Sequence, residues 1–423
     1  MHESIVCLTL HDDVVKLHKM LRGKIEVQSR VPLDSLSERE EEEQPNEGRK
    51  QGRKKGEGEG KGETGNILEL IYTPGVAHVA KEISRNNELA YKYTSKWNNV
   101  SIICDGSRIL GLGNIGPKGA IPVMEGKAVL FKALSSINAF PLCLATQEKE
   151  EIISFVKAVE PVFGAVNIED IESPKVLEIV ERLQRELPIP VFHDDQHGTA
   201  VITFAALLNA IKLIGQKELN DIKIVIAGAG SSGYGIFKIL HKAGCKNIIV
   251  LDSNGALYRG RNEGIDNPYK KEIADNTNLK KLSGNLETII KDADVFIGVS
   301  GKEGLLTYEM IKSMDNEPII FALSNPQPEI LPNEALEAGA RIVSAGRSDF
   351  ANQVNNALVF PYMLRALLDI RAKNITEDML IAASYAIAGL IKEEQLKEDN
   401  IIPKLNDRRL YFAITQAIKK TQS

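Results

Sequence analysis

Residues 222–252 read IKIVIAGAGSSGYGIFKILHKAGCKNIIVLD, and this stretch decides the fold of the chain. Its apolar start predicts a strand over Ile222–Ala227, and the pattern after the glycines predicts a helix over Gly233–Lys242. A glycine motif of the form G-x-G-x-x-G lies between them, with its glycines at Gly228, Gly230 and Gly233. The stretch is therefore a strand, a glycine-rich turn and a helix, followed by a second strand over Asn247–Leu251.

This arrangement is typical of a dinucleotide-binding turn. The first glycine permits the tight turn, the second lets the backbone approach a pyrophosphate, and the third lets the helix pack on the strand. The helix N-terminus supplies amide donors to the phosphates, and Ser231 and Ser232 of the turn are further candidate dinucleotide-binding residues. The alternative is a turn whose glycines serve close packing alone.

Asp252 follows the second strand, where an acid can hydrogen-bond the adenosine ribose. Because its carboxylate would repel a 2′-phosphate, NAD is favoured over NADP. Arg259 and Arg261 are close in sequence, and a nearby cation could offset that repulsion.

Short apolar runs alternate with helical patterns from Ile67 onward. Strands that are apolar along most of their length predict parallel sheets covered on both faces, which is an α/β fold. The other predicted strands are Val100–Cys104, Pro141–Ala145, Phe163–Ile168, Pro190–Phe192, Ala293–Gly298, Pro318–Leu323 and Arg341–Ser344. The other predicted helices include Lys149–Val159, Pro174–Glu186, Ala200–Ile214, Thr307–Lys312 and Thr376–Glu394.

The 423 residues suggest two or three domains, at about 150 residues per domain. We expect an N-terminal α/β domain for substrate and metal and a Rossmann-like, doubly wound dinucleotide domain. The predicted boundaries are an arm at 1–36, a charged insert at 37–66, the catalytic domain at 67–196, the Rossmann-type domain at 197–360 and C-terminal helices at 361–423.

The arm and the charged insert have different sequence patterns. In the arm, the run Lys24–Val31 resembles a strand. Residues 37–66 contain no aliphatic or aromatic side chain, so they cannot offset chain entropy by burial and are predicted to be disordered. The alternative for the insert is that its RKQGRKK stretch contacts an anionic polymer or a membrane surface.

Composition narrows the class of protein. The chain is 43% hydrophobic and 26% charged, with a net charge of −5, which argues against a dedicated nucleic-acid binder. It has no run of about 18 apolar residues, and its start lacks the apolar core of an export signal, so we expect no membrane span. The cysteines form no CxxC pair and suit a reducing cytoplasm; they are Cys7, Cys104, Cys143 and Cys245.

Two acid pairs follow predicted strands. One is Glu169-Asp170 in NIEDI, and the other is Asp194-Asp195 in FHDDQHG. Ligand sites of parallel sheets lie at the carboxyl ends of the strands, so the pairs could meet in one cleft, where Mg²⁺ or Mn²⁺ would relieve their repulsion. The alternative is that the acids cap the following helices, with Asp170 as the cap before Ser173-Pro174.

Single residues elsewhere have ordinary interpretations. His193 and His197 are typical of packing or hydrogen-bonding histidines rather than zinc ligands. Tyr72 in YTPGVA, which precedes a helix, and Lys127 in MEGK would each be unremarkable alone. Arg108 could merely pair with Asp105.

Together, however, these segments resemble the malic enzyme family. The motifs that carry the resemblance occur in the family's order, from about Leu68 to about Leu367: YTPGVA, DGSRILGLGNIGP, PVMEGKAVLFK, NIEDI, FHDDQHGTA, GAGSSG, FALSNP and NNALVFP. The length is similar to that of the compact bacterial and archaeal type. The resemblance implies oxidative decarboxylation of L-malate to pyruvate and CO₂ with reduction of NAD or NADP, in a homodimer.

The resemblance also implies residue roles. By motif position, Tyr72 resembles the general acid, Lys127 the general base and Asp194 the acid beside that lysine. A lysine base needs a lowered pKa, which desolvation and a nearby cation would provide. The implied ligands and contacts are Glu169, Asp170 and Asp195 for a divalent metal, Arg108 for a malate carboxylate, Asn325 and Asn356 near substrate and nicotinamide, and the glycine motif with Asp252 for the dinucleotide.

Some features depart from the family, and other functions remain open. The charged insert replaces a short link, and Cys104 stands where threonine or serine is commoner. A malolactic enzyme would convert malate to lactate with the same metal and nucleotide. An amino-acid dehydrogenase would need no metal, and a non-catalytic NAD-binding regulator would show no turnover.

Overall fold

The computed structural model describes residues 17–18, 21, 24–31, 67–215, 217–261, 263–347 and 349–421. The chain divides into two compact units, of which the smaller is Ile25–Ser95 and the larger comprises Met1–Lys24 with Lys96–Ser423. The predicted disorder of the insert at 37–66, and its RKQGRKK stretch, fall outside the described residues.

From Ile67 onward the smaller unit is mainly helical. Its helices are α1 (Ile67–Ile71), α2 (Val76–Arg85) and α3 (Ala90–Tyr93). The helix expected after YTPGVA is α2. The strand expected over Lys24–Val31 is wrong, because the backbone there forms bends and segments without regular secondary structure. The apolar side chain of Val27 is 96% exposed, so this run has no buried face to stabilise a sheet.

The larger unit begins with a four-stranded parallel sheet. Its strands are β1 (Asn99–Cys104), β2 (Asn138–Cys143), β3 (Ala165–Ile168) and β4 (Val191–His193), in the order β2-β1-β3-β4. The associated helices are α4 (Gly116–Ser135), α5 (Lys149–Val159) and α6 (Lys175–Glu186). β1, β3 and β4 are buried throughout, which accounts for their continuous apolar sequence.

Helix α4 is absent from the sequence-based predictions. Pro122 lies inside it and three glycines interrupt its pattern, so propensity favours a loop. The helix nevertheless forms because one face packs into the core, and the buried residues recur at helical spacing: Ala120, Met124, Ala128, Phe131 and Ser135.

A six-stranded sheet follows, in the order β10-β9-β8-β5-β6-β7. Its strands are β5 (Lys223–Ala227), β6 (Asn247–Asp252), β7 (Gly255–Ala256), β8 (Val295–Gly298), β9 (Ile319–Ala322) and β10 (Ile342–Ala345). All neighbours pair in parallel except β6 and β7. The short hairpin strand β7 is absent from the predictions. The predicted strands occur in both sheets, with ends shifted by up to three residues.

Helices cover this second sheet and complete the chain. They are α7 (Thr199–Ile214), α8 (Ser231–Lys242), α9 (Pro268–Asn276), α10 (Leu286–Ile289), α11 (Tyr308–Lys312), α12 (Pro332–Glu337), α13 (Phe360–Asp369), α14 (Glu377–Ala388) and α15 (Arg409–Lys420). The helix predicted over Thr376–Glu394 ends earlier, at Ala388. Gly389 follows immediately, and glycine disfavours continuation of a helix.

Helices α7 and α13 are largely buried. Asp194–Ile214, which includes α7, is long and apolar enough to span a membrane, but 72% of that apolar window is buried inside the fold. This is typical of a core helix. Helix α13 packs on α4 and β3, so the chain returns from the second sheet to the first. There the rings of Phe131 and Phe360 meet edge to face, with centroids 4.8 Å apart.

Candidate active site

A cavity of about 1120 Å³ lies at the carboxyl ends of both sheets. It brings together most of the residues predicted from the sequence: Arg108, Lys127, Glu169, Asp170, Asp194, Asp195, Gly228, Gly230, Ser231, Ser232, Asp252, Asn325 and Asn356. Two predicted residues do not line it. Gly233 packs beneath the glycine turn, and Tyr72 belongs to the smaller unit, where it is 71% exposed.

Three acids form a compact group in this cavity. Carboxylate oxygens of Glu169, Asp170 and Asp195 all lie within 4.8 Å of one another. Burial and the neighbouring charge of Asp195 raise the pKa of Asp170 to about 8. Burial likewise raises the pKa of Glu169 well above its usual value. Crowded carboxylates of this kind, two of them buried, fit a hard divalent cation, which would neutralise their charge.

The capping interpretation of these acids is wrong. Helix α6 begins after Pro174 and receives no hydrogen bond from a capping side chain, and neither the helical turn Asp194–Gly198 nor helix α7 receives one. The histidines are hydrogen-bonding residues, as expected: the His193 backbone N–H donates to Nδ1 of His197 at 3.1 Å. Burial lowers the pKa of His197 to about 3, so its ring stays neutral.

Lys127 projects from α4 toward Asp194. Its Nζ donates a hydrogen bond to Oδ2 of Asp194 and lies 2.6 Å from Oε1 of Glu169. It also lies 4.1 Å from the centroid of the Phe360 ring. Burial opposes the charged form, but the two carboxylates outweigh it and raise the pKa of Lys127. The lowered pKa expected for a base therefore requires that these carboxylate charges be neutralised.

Arg108 does not pair with Asp105. The carboxylate of Asp105 is buried and accepts hydrogen bonds from the Ser107 N–H at 2.9 Å and from Nζ of Lys175 at 2.9 Å. The backbone N–H of Arg108 donates to the carbonyl of Asp170 at 3.2 Å. The turn is thereby tied to the acid group, and the exposed Arg108 side chain lines the cavity.

The glycine turn matches its predicted geometry. Gly228 has a φ of 121°, which side chains rarely adopt. A Cβ at Gly233 would lie 1.8 Å from the carbonyl oxygen of Gly228, whereas a Cβ at Gly230 would meet open space. The third glycine therefore serves packing, and the second leaves room for a ligand.

Asp252 is surrounded by cations. Its carboxylate accepts two hydrogen bonds from Arg261, at 2.9 and 2.6 Å, and lies 3.3 Å from Nζ of Lys270. Arg259 is instead paired with Asp275. Arg261 and Lys270 thus offset the negative charge of Asp252. Because this charge was the reason to expect repulsion of a 2′-phosphate, Asp252 is weaker support for NAD over NADP. Lys270 lies in a helix 18 residues after Asp252, so sequence proximity could not reveal it.

A buried acid supports the loops on the other side of the dinucleotide turn. Glu329 is fully buried and accepts hydrogen bonds from the backbone N–H and the hydroxyl of Ser300, at 2.9 and 2.8 Å. It also accepts the hydroxyl of Ser324, at 2.5 Å, beside Asn325. Asn356 accepts a hydrogen bond from the Thr199 hydroxyl at 3.2 Å. Nothing in the sequence distinguishes Glu329 from an ordinary loop acid.

Two family models cover most of the chain. The malic enzyme N-terminal domain matches residues 61–184, and the malic enzyme NAD-binding domain matches residues 196–422. The chain belongs to the malic enzyme family. The family is the one that the sequence motifs indicate, and the Rossmann-like α/β fold is the one expected.

Characterised relatives agree with this membership. The chain is 46% identical, over 98% of its length and 93% of the relative's, to the bifunctional malic/malolactic enzyme of Bacillus subtilis. It is 49% identical to the NAD-dependent malic enzyme of Geobacillus stearothermophilus, over 84% of its length and 73% of the relative's. The crystal structure of the NAD-dependent malic enzyme from Thermotoga maritima superposes with a TM-score of 0.85 at 45% identity, covering 96% of this chain and 99% of that one.

Proposed function

We propose that this chain catalyses the oxidative decarboxylation of L-malate to pyruvate and CO₂, with reduction of NAD or NADP. The observation that supports this most directly is the shared cavity. An ammonium group, a guanidinium group and three crowded carboxylates line the same space as the dinucleotide turn.

Glu169, Asp170 and Asp195 are the residues that would hold Mg²⁺ or Mn²⁺, because they present hard oxygen donors within bonding reach of one centre. A divalent cation bound there would acidify the C2 hydroxyl of malate and polarise the ketone formed from it.

The chain's own groups supply binding and proton transfer. The planar guanidinium of Arg108 donates two parallel hydrogen bonds to one carboxylate of malate. Lys127 accepts the hydroxyl proton as hydride leaves C2 for the nicotinamide, and Asp194 holds the lysine in place. Loss of CO₂ then leaves an enolate, which requires a proton at C3.

Tyr72 is the proposed donor of that proton, on the basis of its place in YTPGVA. The substitution Tyr72→Phe should impair ketonisation of enolpyruvate and overall turnover while malate oxidation at C2 remains possible. Ketonisation can be followed by supplying enolpyruvate to the variant. Full turnover of malate by Tyr72→Phe would remove this role.

The proposed reaction is tested by following the absorbance of reduced nicotinamide with L-malate. NAD and NADP are supplied in turn, with Mn²⁺ or with EDTA. We expect reduction with at least one nucleotide, and loss of that reduction in EDTA. Full activity with malate in EDTA would contradict the metal requirement, reduction only when an amino acid replaces malate would favour an amino-acid dehydrogenase, and no reduction under any condition would favour a non-catalytic regulator.

A malolactic reaction is the second candidate, because the relative from Bacillus subtilis is named for both activities. A single assay separates the two reactions by comparing products with net NADH. Pyruvate and NADH in equal amounts indicate the malic reaction, whereas lactate without net NADH indicates the malolactic one.

We further propose that the protein acts as a homodimer in the cytoplasm. The dimer rests on the family resemblance, and the compartment on the absence of a CxxC motif in the sequence. Light scattering on the purified chain tests the first, and fractionation of cells tests the second.

A further inference from the structure

Two cysteines sit side by side at the carboxyl ends of β1 and β2. Cys104 and Cys143 are direct partners in the parallel register. Side chains of registered partners lie on the same face of a sheet, and neighbouring strands are about 4.8 Å apart. That separation falls inside the span of about 4.4–6.8 Å between Cα atoms that a disulfide bridges.

The two thiols differ in exposure and acidity. Cys104 is buried, whereas Cys143 is partly exposed on β2, which lies at the edge of its sheet. A hydrogen bond between the thiols is the leading cause of both shifts: it raises the pKa of Cys104 and lowers the pKa of Cys143. Cys143 is thus the accessible and more acidic sulfur, and a thiolate is the reactive form of cysteine.

We propose that Cys104 and Cys143 form a reversible disulfide when the protein meets a peroxide. The Cys143 thiolate attacks one peroxide oxygen, the O–O bond breaks, and the other oxygen leaves as hydroxide and is protonated to water. The sulfur of Cys104 then attacks the resulting sulfenic acid, releasing its own proton and a second water. Two thiols lose two hydrogens, and one peroxide is reduced to two waters.

The disulfide would act on the turn that carries Arg108, because the sulfur of Cys104 is hydrogen-bonded to this turn. This sulfur accepts a hydrogen bond from the backbone N–H of Gly106 at 3.3 Å. Gly106 has a φ of 70°, and a Cβ built on it would lie 2.2 Å from the backbone of Gly116, so the turn has little room to follow a displaced sulfur. Since the turn carries Arg108, oxidation should weaken malate binding and leave nucleotide binding intact.

The covalent step is tested on the full chain carrying Cys7→Ser, treated with hydrogen peroxide. We expect a mass loss of roughly 2 Da, a peptide that links residues 104 and 143, and reversal by dithiothreitol. Cys143→Ser and Cys104→Ser should each abolish the mass loss, while Cys245→Ser should retain it. Peroxide products that carry only added oxygen, or a mass loss that survives in Cys143→Ser, would overturn the proposal.

The functional consequence rests on the proposed malate reaction and has its own readout. Oxidised protein should show a KM for malate raised at least several-fold, with the KM for nucleotide unchanged and full recovery in dithiothreitol. An unchanged malate KM in fully cross-linked protein would overturn the coupling to Arg108. The mass measurement needs no turnover, so its result is separable from failure of the proposed reaction.

Discussion

The two sheets of the larger unit end in different chemistry. After β3 and β4 the chain presents charged side chains, Glu169-Asp170 and Asp194-Asp195. After β5 it presents backbone, through Gly228 and the residues that follow. In the proposed reaction, side chains at the first sheet would therefore act on the reacting atoms, and backbone amides at the second would hold the dinucleotide. Substitutions near the first sheet should therefore change turnover or malate binding, and those near the second should change nucleotide binding.

Lys127 gives the largest expected effect. In Lys127→Ala, kcat should fall roughly 10³-fold, since a positioned general base contributes about 10²–10⁴-fold. Lys127→Arg keeps the positive charge between Asp194 and Glu169 but cannot release a proton at neutral pH. It should therefore lose kcat with a smaller loss of melting temperature than the alanine variant.

Lys132→Ala is the control, because Lys132 lies on the same helix, donates a hydrogen bond to Oδ1 of Asn138 at 3.0 Å and does not line the cavity. Near-normal turnover in Lys127→Arg would show that this lysine is not the base.

Arg108 gives the next largest effect. In Arg108→Lys, the KM for malate should rise about 10–100-fold, because the two hydrogen bonds from the guanidinium are replaced by a single contact from the ammonium group. The KM for nucleotide should stay unchanged. Arg182→Lys, at a surface ion pair with Glu150, is the matched control. An equal rise in both KM values would contradict the assignment of malate binding to the first sheet and nucleotide binding to the second.

The glycine turn offers a matched pair of substitutions. In Gly230→Ala, the added methyl group meets open space, so stability should persist while the Kd for nucleotide rises roughly tenfold. In Gly233→Ala, the methyl group collides with the carbonyl oxygen of Gly228, so the melting temperature should fall as well. Calorimetry and nucleotide titration measure both. Normal nucleotide affinity in Gly230→Ala would argue against phosphate binding at this turn.

Glu329 gives the smallest expected effect. In Glu329→Gln, an amide donor would face the N–H and hydroxyl groups of Ser300 and Ser324, and an unmatched buried group costs about 1–3 kcal/mol. We expect a lower melting temperature and a KM for nucleotide raised a few-fold, with the KM for malate nearly unchanged. Glu334→Gln, at an exposed position on α12, is the control. An equal effect on malate binding would show that Glu329 does not act through the nucleotide loops alone.

The sequence predicts those parts of the fold that follow from local pattern. The buried strands and the glycine turn are visible because burial and turn geometry restrict residue type directly. Helix α4 is not visible, because tertiary packing overrides the preference of Pro122 and its glycines. The cations around Asp252 and the acceptor role of Glu329 depend on contacts between distant segments. The site residues came from motif position, and their roles remain predictions.

Helix α13 closes one side of the catalytic cavity long after the residues it covers have been synthesised. The ring of Phe360 lies over the ammonium group of Lys127, which is more than 200 residues earlier in the chain. A truncated protein that retained both sheets would still lack this ring. The two sheets are accordingly not exchangeable modules, and a nascent chain acquires this wall of the cavity only after α13 has left the ribosome.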